Sequence, residues 1–386
     1  MQSLLRLRSG MLLLVMLLLA ACAEGRGPEG QYPSECIDRA DNDVDGLFDC
    51  EDPDCAVAPD CIAVGDDDDS SDDGGASGDD DSAEDGVLEC EPCPGSFEIG
   101  TLAEFDDILA CESISGHLRI ASLDATVPQI PSLPCLTQVG GPLEVSDNDT
   151  LVSLGGFHEL TQVEGDLRLF MNPLLEDVSS LENLVEVGGS LAIDYQDSLT
   201  QVDGFSSLVS VGEVLHIYAN ESIENFDGFS SLSSVGGRVA IGSNNALTNV
   251  DGLESLLFVG GSLQLDENAS LVQIDGLSNL VSVGDDAVGL GPLAHDEVPG
   301  SVSVSNNWLL ETLDGLESLA TVVGFLRCSS NPALYSIDGL ANLMSVGGDL
   351  TVSDNGMLCQ SDAESVLNSV VVGGQSDVAG NSGNCD

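Results

Sequence analysis

The chain has 386 residues, of which 67 are Asp or Glu and only eight are Lys or Arg, for a formal net charge of −59. A field of that sign repels nucleic acid and anionic membrane surfaces and favours solubility in the presence of salt or divalent cations. Lys is absent altogether, and the length allows one large domain with appendages.

Residues 1–21 read as an export signal. Arg6 and Arg8 precede an apolar run from Met11 to Ala21, far shorter than the ~20 residues that span a bilayer. The run ends Leu19-Ala20-Ala21-Cys22, which resembles a bacterial lipoprotein lipobox. That resemblance implies cleavage before Cys22 and acylation of this cysteine. Contact with the membrane is then through lipid alone, at the outer membrane or cell surface. More than one acyl chain makes a stable anchor, since each buried CH₂ contributes ~0.8 kcal/mol. An ordinary secretory signal with a chance cysteine is the alternative. Residues 22–35 form a tether.

Residues 36–61 are a cysteine-dense module in which Asp41, Asp43, Asp45, Asp49 and Asp52 fall at loop positions 1, 3, 5, 9 and 12, with Gly46 at position 6. A looping backbone wraps oxygens around Ca²⁺ at such spacings, and the glycine permits the sharp turn. Asp in place of Glu at position 12, and Cys50 at position 10, depart from an EF-hand. The module looks more like a thrombospondin type 3 repeat, and structural calcium is the expected cofactor. Cys36, Cys50, Cys55 and Cys61 are disulfide candidates with three possible pairings, since cysteine at this density in an exported chain points to disulfides. Residues 62–89 are a linker. Between Asp66 and Asp85, 11 of 20 residues are acidic, so no core forms and self-repulsion extends the segment.

Residues 90–386 carry a 24-residue repeat, Gly-x-Leu-x-Ile-x-x-Asn-x-x-Leu-x-x-Val-Asp-Gly-Leu-x-x-Leu-x-x-Val-Gly. Its units open at Gly141, Gly165, Gly189, Glu213, Gly237, Gly261, Gly300, Gly324 and Gly348, with 15 extra residues before the seventh. A strict period of this length marks a solenoid, in which each coil buries its apolar side only by stacking on its neighbours. Positions 3 and 5 alternate with polar residues, as in a strand with one face inward. Positions 11 and 14 form a second inward side, and positions 17, 20 and 23 a third. Position 8 is Asn in eight of nine units, with Gln196 the exception, and predicts a buried amide ladder. The Asp-Gly pair at positions 15 and 16 and the Gly-Gly junction mark turns. The sequons at Asn148, Asn220 and Asn268 use the ladder residue and are read as coincidence.

The expected fold is an all-β solenoid, a right-handed parallel β-coil of about ten rungs with short helical caps. The N-cap (90–115) holds a capping box at Thr101–Glu104 before Phe105, Ile108 and Leu109, stapled by Cys90, Cys93, Cys111 and Cys135. The C-cap (359–386) holds a second box at Ser361–Glu364, and Cys359 with Cys385 clamps the last loop. Cys328, at an inward position, reads as a buried thiol.

The stretch from Cys111 through Gly116-His-Leu-Arg-Ile120, followed by Gly-x-Leu-x-Ile-x-x-Asn coils, resembles the receptor L domain. This is the ligand-binding solenoid of insulin and epidermal growth factor receptors, found also in fungal and bacterial surface proteins. The resemblance implies the architecture and a tendency to bind proteins or glycans. No kinase segment follows, so receptor signalling is not implied.

A ligand face is predicted on the outward side of the first strand, where Arg119, Arg168, Arg238, Arg327 and His216 gather beside Phe170, Tyr195, Tyr218 and Phe325. Cations and aromatics dominate binding hot spots. The expected function is non-enzymatic recognition or adhesion toward a protein or glycan at the cell surface. A cell-envelope structural protein without a discrete ligand is the alternative. A polysaccharide-active β-helix enzyme ranks third, because lysine is absent and the carboxylates form repeated columns in place of one unrepeated pair.

Overall fold

The computed structural model describes residues 88–284 and 300–385. The lipobox cysteine Cys22, the Asp41–Asp52 loop, Cys36, Cys50, Cys55 and Cys61, the linker up to residue 87 and the insertion 285–299 lie outside the described residues.

The repeat folds as a parallel β-solenoid. Two parallel sheets, each of 12 strands, run the length of the stack, and every strand but the first and last of each sheet pairs with the equivalent strand one coil before and one coil after. One sheet is built of long strands at positions 3 to 6, such as Leu167–Phe170, Leu191–Asp194, Leu215–Tyr218, Val239–Gly242 and Leu263–Asp266. The other is built of two-residue strands at positions 22 and 23, such as Ser210–Val211 and Ser234–Val235. Register is unbroken along the long-strand sheet, with Leu191 beside Leu215 and Leu215 beside Val239.

Twelve rungs exceed the ten expected, because both caps fold as coils before they close. The N-cap contributes Glu91–Cys93 and Phe97–Ile99, and the C-cap Val371–Val372 and Ser376–Ala379. Their sequences keep the strand signal (Gly95-x-Phe97-x-Ile99 at the entry, Gly373-Gly374 with Val378 and Asn381 at the exit) but break the 24-residue period, since Gly95 precedes Gly116 by 21 residues and Gly374 follows Gly348 by 26, which hid them. At ~4.8 Å per strand the stack is about 53 Å long.

The inward positions are dry. Leu199, Val202, Leu253, Leu256 and Val259 are fully buried, and one continuous core runs from Ile99 to Val370. The Asn ladder forms as predicted. Each side-chain amide donates to a main-chain carbonyl one coil back (Asn220 to Ile193, 2.8 Å; Asn244 to Ile217, 2.9 Å). Each Oδ1 accepts the main-chain N–H of the preceding ladder residue (Asn220 to Asn244, 3.1 Å; Asn244 to Asn268, 3.1 Å). Asn381 extends the ladder by one rung. The sequon asparagines Asn148, Asn220 and Asn268 are ladder members and buried. At Gln196 the longer side chain folds back to donate to the Asp194 carbonyl, and its Oε1 meets no partner among the described residues.

Two features of the turns differ from expectation. Position 7, before every ladder residue, adopts the left-handed backbone without glycine: Met171, Tyr195, Ala219, Ser243 and Glu267 all have φ between 53° and 63°. The amide ladder holds this conformation, which an isolated chain disfavours by about 1–2 kcal/mol per residue. At position 16 glycine serves close approach, since a Cβ on Gly204 or Gly228 would overlap the carbonyl oxygen of Val178 or Val202 in the coil before. The adjoining 3-10 turns (Asp203–Phe205, Asp227–Phe229, Asp251–Leu253) begin at the Asp. Their side-chain caps come from position 13, where Asn225 and Asn249 accept the N–H of Asp227 and Asp251.

The caps correct the prediction in detail. The entry helix is a 3-10 helix, Leu102–Asp107, and its Glu104 accepts the N–H groups of Gly100 and Thr101. These bonds hold the Glu104 carboxyl below its ordinary value. Phe105 and Ile108 are buried, but Leu109 is exposed. At the exit the α-helix Gln360–Ser369 starts two residues early, so Cys359 is the N-cap and Ser361 lies within the helix. Glu364 instead accepts from the Gln360 amide (3.0 Å). Cys90 pairs with Cys135, Cys93 with Cys111 and Cys359 with Cys385. Cys328 is a free, buried thiol whose pKa burial pushes up to about 12, so it is not a nucleophile at neutral pH.

Candidate binding face

The long strands fix the outward columns. Because side chains alternate across a strand, burying positions 3 and 5 places positions 4 and 6 on the outer surface, and unbroken register stacks each with its counterpart ~4.8 Å away. Arg119, Arg168, Phe170, His216, Tyr218 and Arg327 therefore lie in the strands of one sheet, and Tyr195, Arg238 and Phe325 flank it at positions 7 and 2. They divide into three groups.

At the N-terminal end, Arg119 is occupied by carboxylates. Its Nε donates to Glu144 (3.1 Å) and its Nη1 to Glu98 (3.5 Å), while His117 meets Glu98 at 2.9 Å. The Glu144 hydrogen bond leads the upward shift of Arg119. Burial opposes ionisation of Glu144, but the Ser146 hydroxyl and Arg119 outweigh it and hold the carboxyl below its ordinary value. This group relieves repulsion between acidic neighbours.

The middle group is a continuous run of aromatic and cationic side chains. The Arg168 guanidinium lies 4.2 Å from the centre of the Phe170 ring. Phe170 meets Tyr195 edge-on at 5.7 Å, Tyr195 meets Tyr218 at 6.3 Å, and His216 stacks on Tyr218 at 5.6 Å. His216 Nδ1 is 2.8 Å from Asp194 Oδ1, which orients the imidazole. Beyond Tyr218 the surface drops, because the next strand carries Ala240 and Gly242 in the outward columns. Their neighbours on the far side are Gln264 and Asp266. The resulting depression, about 260 Å³, is lined by His216, Tyr218, Arg238, Gln264, Asp266 and Glu267 over the Ala240–Gly242 floor. Burial raises the Asp266 carboxyl above its ordinary value, against the Ser303 hydroxyl, which donates to it at 3.1 Å.

The third group is Arg327, whose guanidinium lies 5.5 Å from the Phe325 ring. It sits four strands from His216, about 19 Å along the sheet, and so belongs to the same face without joining the middle cluster.

Sequence reasoning missed Trp308. It stands two residues past the left-handed corner, 67% exposed, over a second depression of about 550 Å³ with Ser243, Asn245, Glu267, Ala269 and Asn306. Glu267 lines both hollows. The signal was available, because Trp308 is the single tryptophan of the chain and occupies a column otherwise filled by small, polar or proline residues. Beside the other sheet, position 21 carries exposed apolar side chains at Val185, Val209, Leu257, Val281 and Met344, interrupted by Ser233 and Ala320, another feature that the inward-facing pattern did not reveal. In the Asp column at position 15, burial first and then the charges of Asp314 and Asp251 raise Asp275.

No protein-family model matches the chain, and no curated protein resembles it closely enough to match.

Proposed function

We propose that this chain is a non-enzymatic recognition protein of the bacterial cell surface, held by lipid at Cys22, whose receptor L-domain-like solenoid binds a protein or glycan through the outward face of the long-strand sheet. The thrombospondin type 3-like module at residues 36–61, carrying structural calcium on Asp41, Asp43, Asp45, Asp49 and Asp52, and the acidic linker after it serve as a stalk.

The observation that supports this reading is the contiguous Arg168–Phe170–Tyr195–Tyr218–His216 cluster. Folding does not require it, since neighbouring rungs carry Ser, Ala or Gly in the same columns. Large aromatic and cationic groups left on a surface where small polar ones suffice are a mark of binding. Adhesion to whole cells and to a glycan array, measured for the wild type and for Arg168→Ala/Tyr195→Ala/Tyr218→Ala, tests it. Binding lost with melting unchanged upholds the reading. The Arg119–Glu98–Glu144 pairing favours the alternative, an envelope spacer whose arginines only balance charge, and equal adhesion by both proteins would establish that alternative.

A further inference from the structure

Resting on that reading, we propose that the trough from Tyr218 to Trp308 is a binding site for a neutral oligosaccharide. The two aromatic side chains stand on rungs three strands apart, about 14 Å along the sheet. That is the reach of a short oligosaccharide, and longer than a single sugar ring. Between them lie two hollows that share Glu267, one floored by Ala240 and Gly242 and the other lined by Ala269. A planar chain can lie along such a floor and stack an apolar ring face on an exposed aromatic at each end.

The rim supplies the polar half of the recognition. Gln264, Asp266, Glu267, Asn245, Ser243 and Asn306 line the two hollows. Carboxylates accept from sugar hydroxyls, and side-chain amides both donate and accept. The rim lacks the desolvated apolar centre on which a protein partner's hot spot rests, whereas alternating hydroxyl partners and ring-stacking surfaces match a glycan.

Charge selects the class of glycan. Asp266 and Glu267 lie in the trough beside Arg238 and His216, and the chain as a whole carries −59, so a uronate or sulfated polymer meets net repulsion from the protein's field. A neutral chain meets none.

The single tryptophan makes the test direct, because Trp308 fluorescence in the full-length chain reports on this site alone. The protein, purified in detergent, is titrated with mannohexaose, cellohexaose and chitohexaose, with an oligogalacturonate as the anionic comparison, and calorimetry gives affinities for all variants. At least one neutral hexasaccharide is expected to perturb Trp308 emission. Tyr218→Ala, Trp308→Ala and the floor-filling Ala240→Leu should each weaken its binding about ten-fold or more, with melting unchanged. Hexasaccharide binding that all three variants retain overturns the placement, and preference for the oligogalacturonate overturns the charge argument. No response to any sugar, with whole-cell adhesion still lost in the Arg168/Tyr195/Tyr218 variant, overturns the glycan assignment but leaves recognition standing. No response to any sugar, with whole-cell adhesion equal in that variant and the wild type, removes both.

Discussion

The two faces of the long-strand sheet share one backbone and follow opposite rules. Inward, positions 3 and 5 are aliphatic in rung after rung, and the amide column beside them changes residue only at Gln196. Outward, the position-4 column reads Arg119, Glu144, Arg168, Ala192, His216, Ala240, Gln264 and Ser303 along the unbroken register. A repeat is held constant wherever a side chain must fit its own copy one coil away. It varies where the side chain meets water or a partner. The inner columns are therefore the place to look for stability, and the irregular stretch of the outer ones for function.

The largest expected effect breaks the inner rule at its tightest contact. Gly228 presses on the Val202 carbonyl, and that backbone is fixed from both sides by rung-to-rung bonds, so the collision has nowhere to relax. Gly228→Ala should cost about 3 kcal/mol or more, measured as the shift in denaturation midpoint. Ala240→Gly in the outer column, a change of the same size, should move it by no more than about 1 kcal/mol. Equal costs would show that inner and outer positions are not distinct in kind.

The ladder gives the next effect, with a change of sign inside one column. Asn244→Ala removes the acceptor of the buried Asn220 N–H and the donor to the Ile217 carbonyl, leaving both unpaired at a cost of about 2 kcal/mol. Gln196→Asn does the reverse. It restores the side-chain length the column uses and removes an unpartnered Oε1, for a gain of about 1 kcal/mol. If the Gln196 variant is instead less stable, the fold-back onto Asp194 is itself part of how this rung is built.

How far these rules could be read in advance follows the same division. Strict repetition made the inward columns, the Asn ladder and the parallel coil legible from residues such as Leu191, Ile193 and Val202. The caps were misjudged because their rungs fall 21 and 26 residues from their neighbours, off the strict period, although Gly95-x-Phe97-x-Ile99 and the ladder residue Asn381 carried the signal. The left-handed corner was hidden for another reason. Met171 and Tyr195 are not residues that announce positive φ, and only the ladder that holds them accounts for it. On the outer face, sequence placed the cations and aromatics on one sheet but could not say which would meet. Arg119 finds Glu98 and Glu144 as partners 21 and 25 residues away, whereas Arg168 finds Phe170 two residues along its own strand.

The smallest effect lies where the two rules meet, at Asp266, an outward residue that packing has partly covered. Burial raises its pKa in the fold, so the folded state holds the proton more tightly than the unfolded chain. Below the unfolded value, about 3.9, both states are protonated and the carboxyl costs the fold nothing. As pH rises through the unfolded and then the folded pKa, ionisation costs the folded state more, and stability falls and stays lower. Asp266→Asn removes the titration and keeps an acceptor for the Ser303 hydroxyl. Its stability relative to wild type should therefore rise with pH across the carboxylate range and level off by pH 7. Asp149→Asn, which removes one exposed charge from the same protein, separates this local term from the general relief of a −59 chain. A pH dependence shared equally by both variants would mean that Asp266 feels only the overall field, and that the rim of the trough is wetter than its packing implies.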